Sequence, residues 1–472
     1  MTEMLHHWVT GEANRRPDAL AVALGDERVT YGELEVLSNQ LARALKERGC
    51  VRGDRVCLLL PKSPLAVVCL LGIYKADCVY VPLDTAAPAT QLARVIVAAG
   101  CRCLMAAASL APRVRELLSQ PDLPALRIGW LGIPDQSTGA LPIAFRFSDI
   151  GALPGTPLHG AHRAGDTAHI LFESRDEGAP RGVMATHGNL ISFVEWAKKY
   201  LRINETDRIA GHARLNQSVS LFDIFGSLSS GAELHLVPAA VHLLPGRVAA
   251  WIRTSGITHW CSDSVVLDNI AKFDAVEPWD FPELRRVLWN GELLSTPALS
   301  YWMRQLPHVE FTKLYGSTEA AVACGYHTIT SFPEDEAEQI PLGRACAGAE
   351  LLLLDHNLQP AATGSVGDIY VRGTCLSPGY WRDPSATSRA FPELAGVGRV
   401  YRNGDRGVRG HDGLIYAAGR SRDTGQKDDL RVGLGRRGVA PDDSKLIPIR
   451  TASSRWRAWD ELPNHASGHV DQ

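Results

Sequence analysis

Polar residues open the first clear period in the chain. Thr30-Tyr31-Gly32-Glu33 fits a capping box, in which the Thr30 hydroxyl and the Glu33 carboxylate each satisfy a free backbone N–H at a helix start. Leu34, Leu37, Leu41 and Leu45 follow at helical spacing, and Gly49 stands where a left-handed residue would end the helix. The apolar run from Arg55 to Leu60, stopped by Pro61, predicts a short buried strand. Ser63-Pro64 begins a second helix that runs toward Lys75, with proline in the first turn where its missing N–H costs little. Val79 to Val81 predicts another strand before Pro82. A third helix runs from about Thr90 to Gly100, and Cys101 to Met105 reads as a strand. This alternation predicts an α/β fold with a mainly parallel sheet. It names no function.

The middle of the chain predicts a strand at His169 to Phe172, a loop at Glu173 to Gly182, and a helix from Thr186-His187 with Leu190, Phe193, Val194 and Ala197 on one face. A strand, glycine-bearing loop and helix in that order can cradle a phosphate, because backbone N–H groups and the helix dipole both favour an anion. An ordinary turn has the same pattern.

Composition narrows the class. With 472 residues, 45% of them hydrophobic, the chain can bury a large core or two lobes. A net charge of only −3 gives no electrostatic draw toward nucleic acid or an anionic membrane. The first 18 residues lack a basic stretch followed by an apolar core, so no secretory signal is expected. The longest apolar run, Leu65 to Tyr74, is far shorter than the roughly 20 residues of a membrane span. Ten cysteines without CxxC pairing are expected to be buried free thiols, and His6-His7 an exposed terminal pair. A cytoplasmic globular protein is the expectation. The sequence has no GxGxxG opening a helix, no HExxH and no GxSxG, which leaves dinucleotide reductase, zinc protease and serine hydrolase readings unsupported.

A series of segments, in order, changes the picture. VTYGELEVLSNQLA and YKADCVYVPLD (Tyr74 to Asp84) are followed by ESRDEGAPRGVMATHGNL, SVSLFDIFGSLSSGAELHLVP and WNGELL (Trp289 to Leu294). LYGSTEA (Leu314 to Ala320), IPLGRACAGAELLLLD, GDIYVRGTCLSPGYWRDPSATSRAF and YRNGDRGVRGHDGLIYAAGR (Tyr401 to Arg420) complete the series. Together, from roughly Leu5 to Leu434, they resemble the core motifs of the adenylate-forming superfamily, which includes acyl-CoA synthetases and nonribosomal peptide adenylation domains. The nearest likeness is to enzymes that load carrier proteins.

The resemblance implies a large multi-lobed α/β domain over residues 1–418, with mainly parallel sheets and a small β-rich lobe. A hinge and the start of a lid would occupy residues 419–435, and residues 436–472 match nothing in the family. It also implies ATP and Mg²⁺ as cofactors and attack of a substrate carboxylate on the α-phosphate, giving an acyl-adenylate that passes to coenzyme A or a carrier protein. Such chemistry needs positioned anions and neutralised phosphate charge more than proton transfer. Carried over by position, Glu319 would hold Mg²⁺ and Thr318 would bond a phosphate oxygen. Tyr315, with Gly316 and Ser317 beside it, would stack on adenine, and Asn290, Gly291 and Glu292 would line the base pocket. Asp405 would accept from both ribose hydroxyls, while Arg420 could reach ribose or phosphate. Ser174, Gly178, Arg181 and Gly182 are the phosphate-loop positions that fit, Arg181 replacing lysine. His212, Ser218 and Phe222 would line the acid pocket.

Three departures stand out. Glu173, Asp176 and Glu177 put carboxylates in the phosphate loop, where each like-charge contact at about 6 Å and an effective dielectric of about 20 costs on the order of 2–3 kcal/mol before screening. The loop is therefore expected to be disabled or bent away from the nucleotide, although Arg175 and Arg181 offset part of the charge. The aspartate with which peptide-synthetase relatives grip an α-ammonium falls on Ser218, so ordinary α-amino acids are expected to be poor substrates and a simpler acid a better one. After GRSRD (Gly419 to Asp423) no full lid follows. Lys427 and Lys445 lack the motif around the lid lysine, and a disordered or loosely docked tail is expected. Two functions stay open on these grounds: an acid-activating ligase, or an impaired pseudoenzyme that keeps the fold as a binding or remnant protein.

Overall fold

The computed structural model describes residues 4–131, 141–158, 160–173, 179–291, 294–333, 335 and 338–420. The expectations for residues 421–435 and for the tail at 436–472 lie outside them.

Among the described residues, a seven-stranded sheet runs in spatial order Ile143–Arg146, Arg127–Leu131, Cys103–Ala107, Arg55–Leu59, Val79–Pro82, Thr167–Glu173 and Arg181–Thr186. All its neighbours are parallel except the last pair. A nine-stranded sheet has a parallel centre, Leu20–Leu24, Glu233–Leu236, Arg208–Gly211, His259–Asp263, Arg286–Asn290 and Glu310–Tyr315, with antiparallel strands at both edges. A small antiparallel sheet joins Ala349–Leu354, Val366–Gly373, Tyr401–Arg409 and Ile415–Arg420. This is the α/β architecture with a smaller β-rich lobe that the sequence implies.

Local signals account for the first helices. Thr30 Oγ1 accepts from Glu33 N at 3.2 Å while Glu33 Oε2 accepts from Thr30 N at 2.8 Å, and Tyr31–Glu47 follows as a helix. Gly49, with φ at +79°, turns the chain out of it. Ser63 caps the helix Pro64–Lys75, in which every residue but Leu65 is buried. A helix apolar on all sides must be enclosed. It is: one core joins it to Leu5–Arg15, Tyr31–Glu47, His187–Leu201 and Val219–Leu228, and to Val56 and Met105 of one sheet and Val22 and Leu288 of the other. The run that was too short for a membrane is thus an inter-sheet helix, and among the described residues no helix is long and apolar enough to cross a bilayer. The charged tip of that helix is paired, Lys75 Nζ lying 2.6 Å from Glu35 Oε2 and 2.8 Å from Ser38 Oγ. All ten cysteines are free and buried, as expected.

Two expectations are corrected. His6 is not an exposed terminal residue; it sits at 7% exposure on Leu5–Arg15, packed edge-on against His7 and facing His187. The stripe Leu5, Val9 and Ala13 draws the helix into the core and takes His6 with it, while His7 stays exposed. The second concerns the phosphate loop. The strand Arg181–Thr186, paired with Thr167–Glu173, stands in sequence between the loop and the helix His187–Leu201, so the loop joins two arms of a β-hairpin and does not lead straight into a helix.

Candidate active site

The strand Glu310–Tyr315 delivers Tyr315 toward the small sheet, where Tyr401–Arg409 presents Asp405. The Tyr315 hydroxyl donates to Asp405 Oδ2 at 2.8 Å. On the ladder of the small sheet, Asp405 pairs with Arg420, whose Nε lies 3.0 Å from Asp405 Oδ1 as an ion pair. Arg420 Nη2 donates to the Asn403 carbonyl at 3.2 Å. Burial pushes the Asp405 carboxyl above the ordinary carboxylate range, opposed by the Tyr315 hydrogen bond and by Arg420. Burial also pushes the Tyr315 hydroxyl well up, so at neutral pH it stays a donor.

Residues 315–318, next to this cluster in the chain, are half-buried. A Cβ on Gly316 would stand 2.6 Å from the Ala323 Cα, so only glycine lets the two arms of this turn meet. The turn continues into Thr318–Ala320, where Glu319 is buried and its Oε1 accepts from the Tyr380 hydroxyl at 2.8 Å. The Tyr401 hydroxyl faces Ser317 and Glu319. Arg181 stacks its guanidinium over the Tyr380 ring at 4.5 Å. Tyr380 is held there because the strand Arg181–Thr186 bonds the segment 379–381 along its outer edge, through Trp381 N to the Gly182 carbonyl and Met184 N to the Gly379 carbonyl. Gly182 has no room for a side chain, since a Cβ would lie 2.7 Å from Ile170 Cγ2. Glu173 and Arg181 face each other across the hairpin. Ser174 and Gly178, with Asp176 and Glu177, lie outside the described residues.

The metal expectation can be tested on the donors. Among the described residues no group of three or more His, Cys, Asp or Glu side chains could hold a metal ion. Glu319 offers one carboxylate, with one oxygen already bonded to Tyr380. That set fits Mg²⁺ held by a single carboxylate, waters and substrate phosphates, and does not fit a cation caged by protein alone.

Of the expected base-pocket positions, Asn290 ends the strand Arg286–Asn290. Its Nδ2 donates to the Val322 carbonyl at 3.3 Å and its Oδ1 accepts from Gly291 N at 2.8 Å. Gly291 has φ at +92° and open space where a Cβ would be. Glu292 lies outside the described residues.

The expected acid-pocket positions cluster around the helix Val219–Leu228. Ser218 is its buried N-cap, Phe222 packs edge-on against Phe193 at 5.7 Å, and His212 lies edge-on to Trp260 at 6.0 Å. Sequence reasoning passed over two partners here. Lys62 Nζ reaches the carbonyls of Gly211 at 2.5 Å and His212 at 2.9 Å, and fully buried Asp223 accepts from Ala213 N at 3.3 Å. Burial lowers the Lys62 ammonium and raises the Asp223 carboxyl, each opposed by the other's charge. Asp223 lies inside the quoted SVSLFDIF segment, which was its only sequence signal. Lys62 had only its place after the strand-ending Pro61.

A family model described as AMP-binding enzyme matches residues 9–381. The chain belongs to the AMP-binding enzymes. Among relatives of this AMP-binding enzyme, an L-proline–[L-prolyl-carrier protein] ligase of Streptomyces coelicolor is 32% identical over 87% of this chain and 77% of its own length. Syringomycin synthase SyrB1 of Pseudomonas syringae pv. syringae is 27% identical over 88% of this chain and 64% of its own. Among solved structures, the nonribosomal peptide synthetase FmoA3 with α-methyl-L-serine-AMP bound superposes with a TM-score of 0.79 at 26% identity, covering 90% of this chain and 45% of that one. A putative long-chain-fatty-acid CoA ligase from Rhodopseudomonas palustris shares the fold, with a TM-score of 0.76 at 22% identity over 89% of this chain and 99% of that one. The chain therefore spans less than half of the FmoA3 chain and about three quarters of the proline ligase.

Proposed function

We propose that this AMP-binding enzyme uses ATP and Mg²⁺ to convert a carboxylic acid to its acyl-adenylate and then passes the acyl group to the thiol of a carrier protein. One observation carries the reading: the Tyr315 hydroxyl lies 2.8 Å from the Asp405 carboxylate, so two motifs far apart in the chain meet at one place. Tyr315 would hold the adenine face, with Asn290, Gly291 and Glu292 at its edge. Asp405 would accept from the ribose, a role that suits two acceptor oxygens on one buried group. Thr318 and Arg420 would bond phosphate oxygens, and Arg181 would add positive charge where lysine is usual. Glu319 would hold Mg²⁺ through the oxygen not bonded to Tyr380. Mg²⁺, when bound, neutralises charge that builds on the polyphosphate.

The likeness to a carrier-protein ligase favours a carrier protein over coenzyme A as acceptor. Ser218 carries no charge to pair with an α-ammonium, and the buried acid nearby, Asp223, is turned to the 211–213 backbone and Lys62. A simple carboxylic acid is accordingly the proposed substrate class. ATP–pyrophosphate exchange over a panel of aryl, fatty and amino acids tests both statements. Exchange led by a simple acid supports them, exchange led by an L-amino acid overturns the substrate class, and no exchange with any acid overturns the function.

A further inference from the structure

Where the resembling family reads YRTGD, this chain has Tyr401-Arg402-Asn403-Gly404-Asp405, and Asn403 uses both ends of its amide. It is buried at 8% exposure. Its Oδ1 accepts from the Asp405 backbone N–H at 2.9 Å, an Asx turn two residues long. A backbone N–H only donates, so this bond fixes which end of the amide is oxygen. Nδ2 therefore faces the cluster, donating to the Tyr315 hydroxyl at 2.5 Å and to Asp405 Oδ2 at 3.1 Å. The Tyr315 hydroxyl donates into the same Oδ2 at 2.8 Å. Asn403, Tyr315 and Asp405 thus close a ring in which each touches the other two.

The ring has a cost for a ligand. A carboxylate has about four lone-pair positions, two on each oxygen. Oδ2 already receives two donors from the chain, and Oδ1 faces the Arg420 guanidinium at 3.0 Å. Two ribose hydroxyls would have to share Oδ1 with Arg420 or displace a donor from Oδ2. Threonine or serine at position 403 would keep an oxygen able to accept from the Asp405 N–H in a similar turn, and would remove the amide donor that bridges to Oδ2.

We infer that Asn403 is a positioning residue that locks Asp405 to Tyr315 and lowers affinity for the nucleotide ribose by occupying acceptor capacity on Asp405. The inference rests on the adenylation reading above. It is tested by calorimetric titration of Mg²⁺·ATP and of Mg²⁺·2′,3′-dideoxy-ATP into the wild-type chain, Asn403→Thr and Asn403→Ser, with melting curves alongside. Both variants should bind ATP about three- to tenfold more tightly, the worth of one released acceptor on a charged group. Dideoxy-ATP affinity should stay unchanged, so the ATP-to-dideoxy ratio grows by the same factor. A purely structural role would leave that ratio fixed, and an unchanged ratio with ATP bound overturns the inference while leaving the adenylation reading intact. Absence of ATP binding in all three proteins overturns both. If threonine lowers the melting midpoint, serine decides; failure of both to fold would make Asn403 a structural residue and overturn the inference.

Discussion

Asp405 and Asp223 are both carboxylates that burial pushes upward, yet their surroundings set them to different work. Asp405 is met by a tyrosine hydroxyl, an amide and a guanidinium, all of which favour its charged form. Asp223 is fully enclosed, met by the Ala213 N–H at 3.3 Å, by the His212 backbone and by a lysine whose own charge burial disfavours. Burial alone does not distinguish a ligand-binding acid from a structural one. The donors arrayed against it do.

The comparison breaks first at Asp405. Asp405→Ala should reduce ATP–pyrophosphate exchange by at least about 100-fold, because a charged acceptor is lost and Arg420 is left facing an empty position. Exchange within a few-fold of wild type would remove Asp405 from the site. The next effect concerns the acidic loop. Replacing Glu173, Asp176 and Glu177 by Thr, Ser and Thr should tighten ATP binding by about tenfold or more, once screening has reduced the bare repulsion. Equal affinity before and after would mean the acidic loop does not face the polyphosphate.

At Asp223 the readout is stability. Asp223→Ala should cost about 2–3 kcal/mol in urea unfolding, since Ala213 N loses its acceptor and Lys62 its counter-group. Asp223→Asn, a near match for the protonated acid, should cost less than about 1 kcal/mol. Equal losses would show that Asp223 is charged in the folded protein.

The smallest effect is a slope. Burial lowers His169 to about 3 and His259 to about 4, and holds His6 and His187 well below their ordinary value. Each binds its proton more weakly folded than unfolded. Its stabilising contribution is therefore present above about pH 6.5 and is lost as pH falls toward 4, by up to about 1.4 kcal/mol per pH unit. Asp223 has the opposite sign: its raised folded value gives stability that is present at low pH and lost as pH rises. Asp223→Asn should thus steepen the acid-side fall between pH 6.5 and 5 by about 1.4 kcal/mol per unit. An unchanged slope would contradict a raised Asp223.

Much of the fold was legible because its signals are local. The Thr30–Glu33 box, the Ser63-Pro64 start and the left-handed Gly49 and Gly100 each act within a turn of chain, and the structure has all four. His6 was misread because its burial comes from a stripe, Leu5, Val9 and Ala13, too short to register at a chain end. The strand Arg181–Thr186 was missed because its pairing with Thr167–Glu173 spans the loop itself. At the site, ordered motifs named Tyr315, Glu319, Asp405 and Arg420, and the structure brings Tyr315, Asp405 and Arg420 together with Glu319 four residues beyond Tyr315. Tyr380, Lys62 and Asn403 were not named, since what each does depends on a partner that only the tertiary fold supplies.

The central claim is that a nucleotide sits between Tyr315 and Asp405. Calorimetric titration of Mg²⁺·ATP into the wild-type chain, Tyr315→Ala and Asp405→Ala tests it most directly. Measurable binding by the wild type, weakened about 30-fold or more in each variant, is the predicted result. Affinities equal in all three proteins would contradict it.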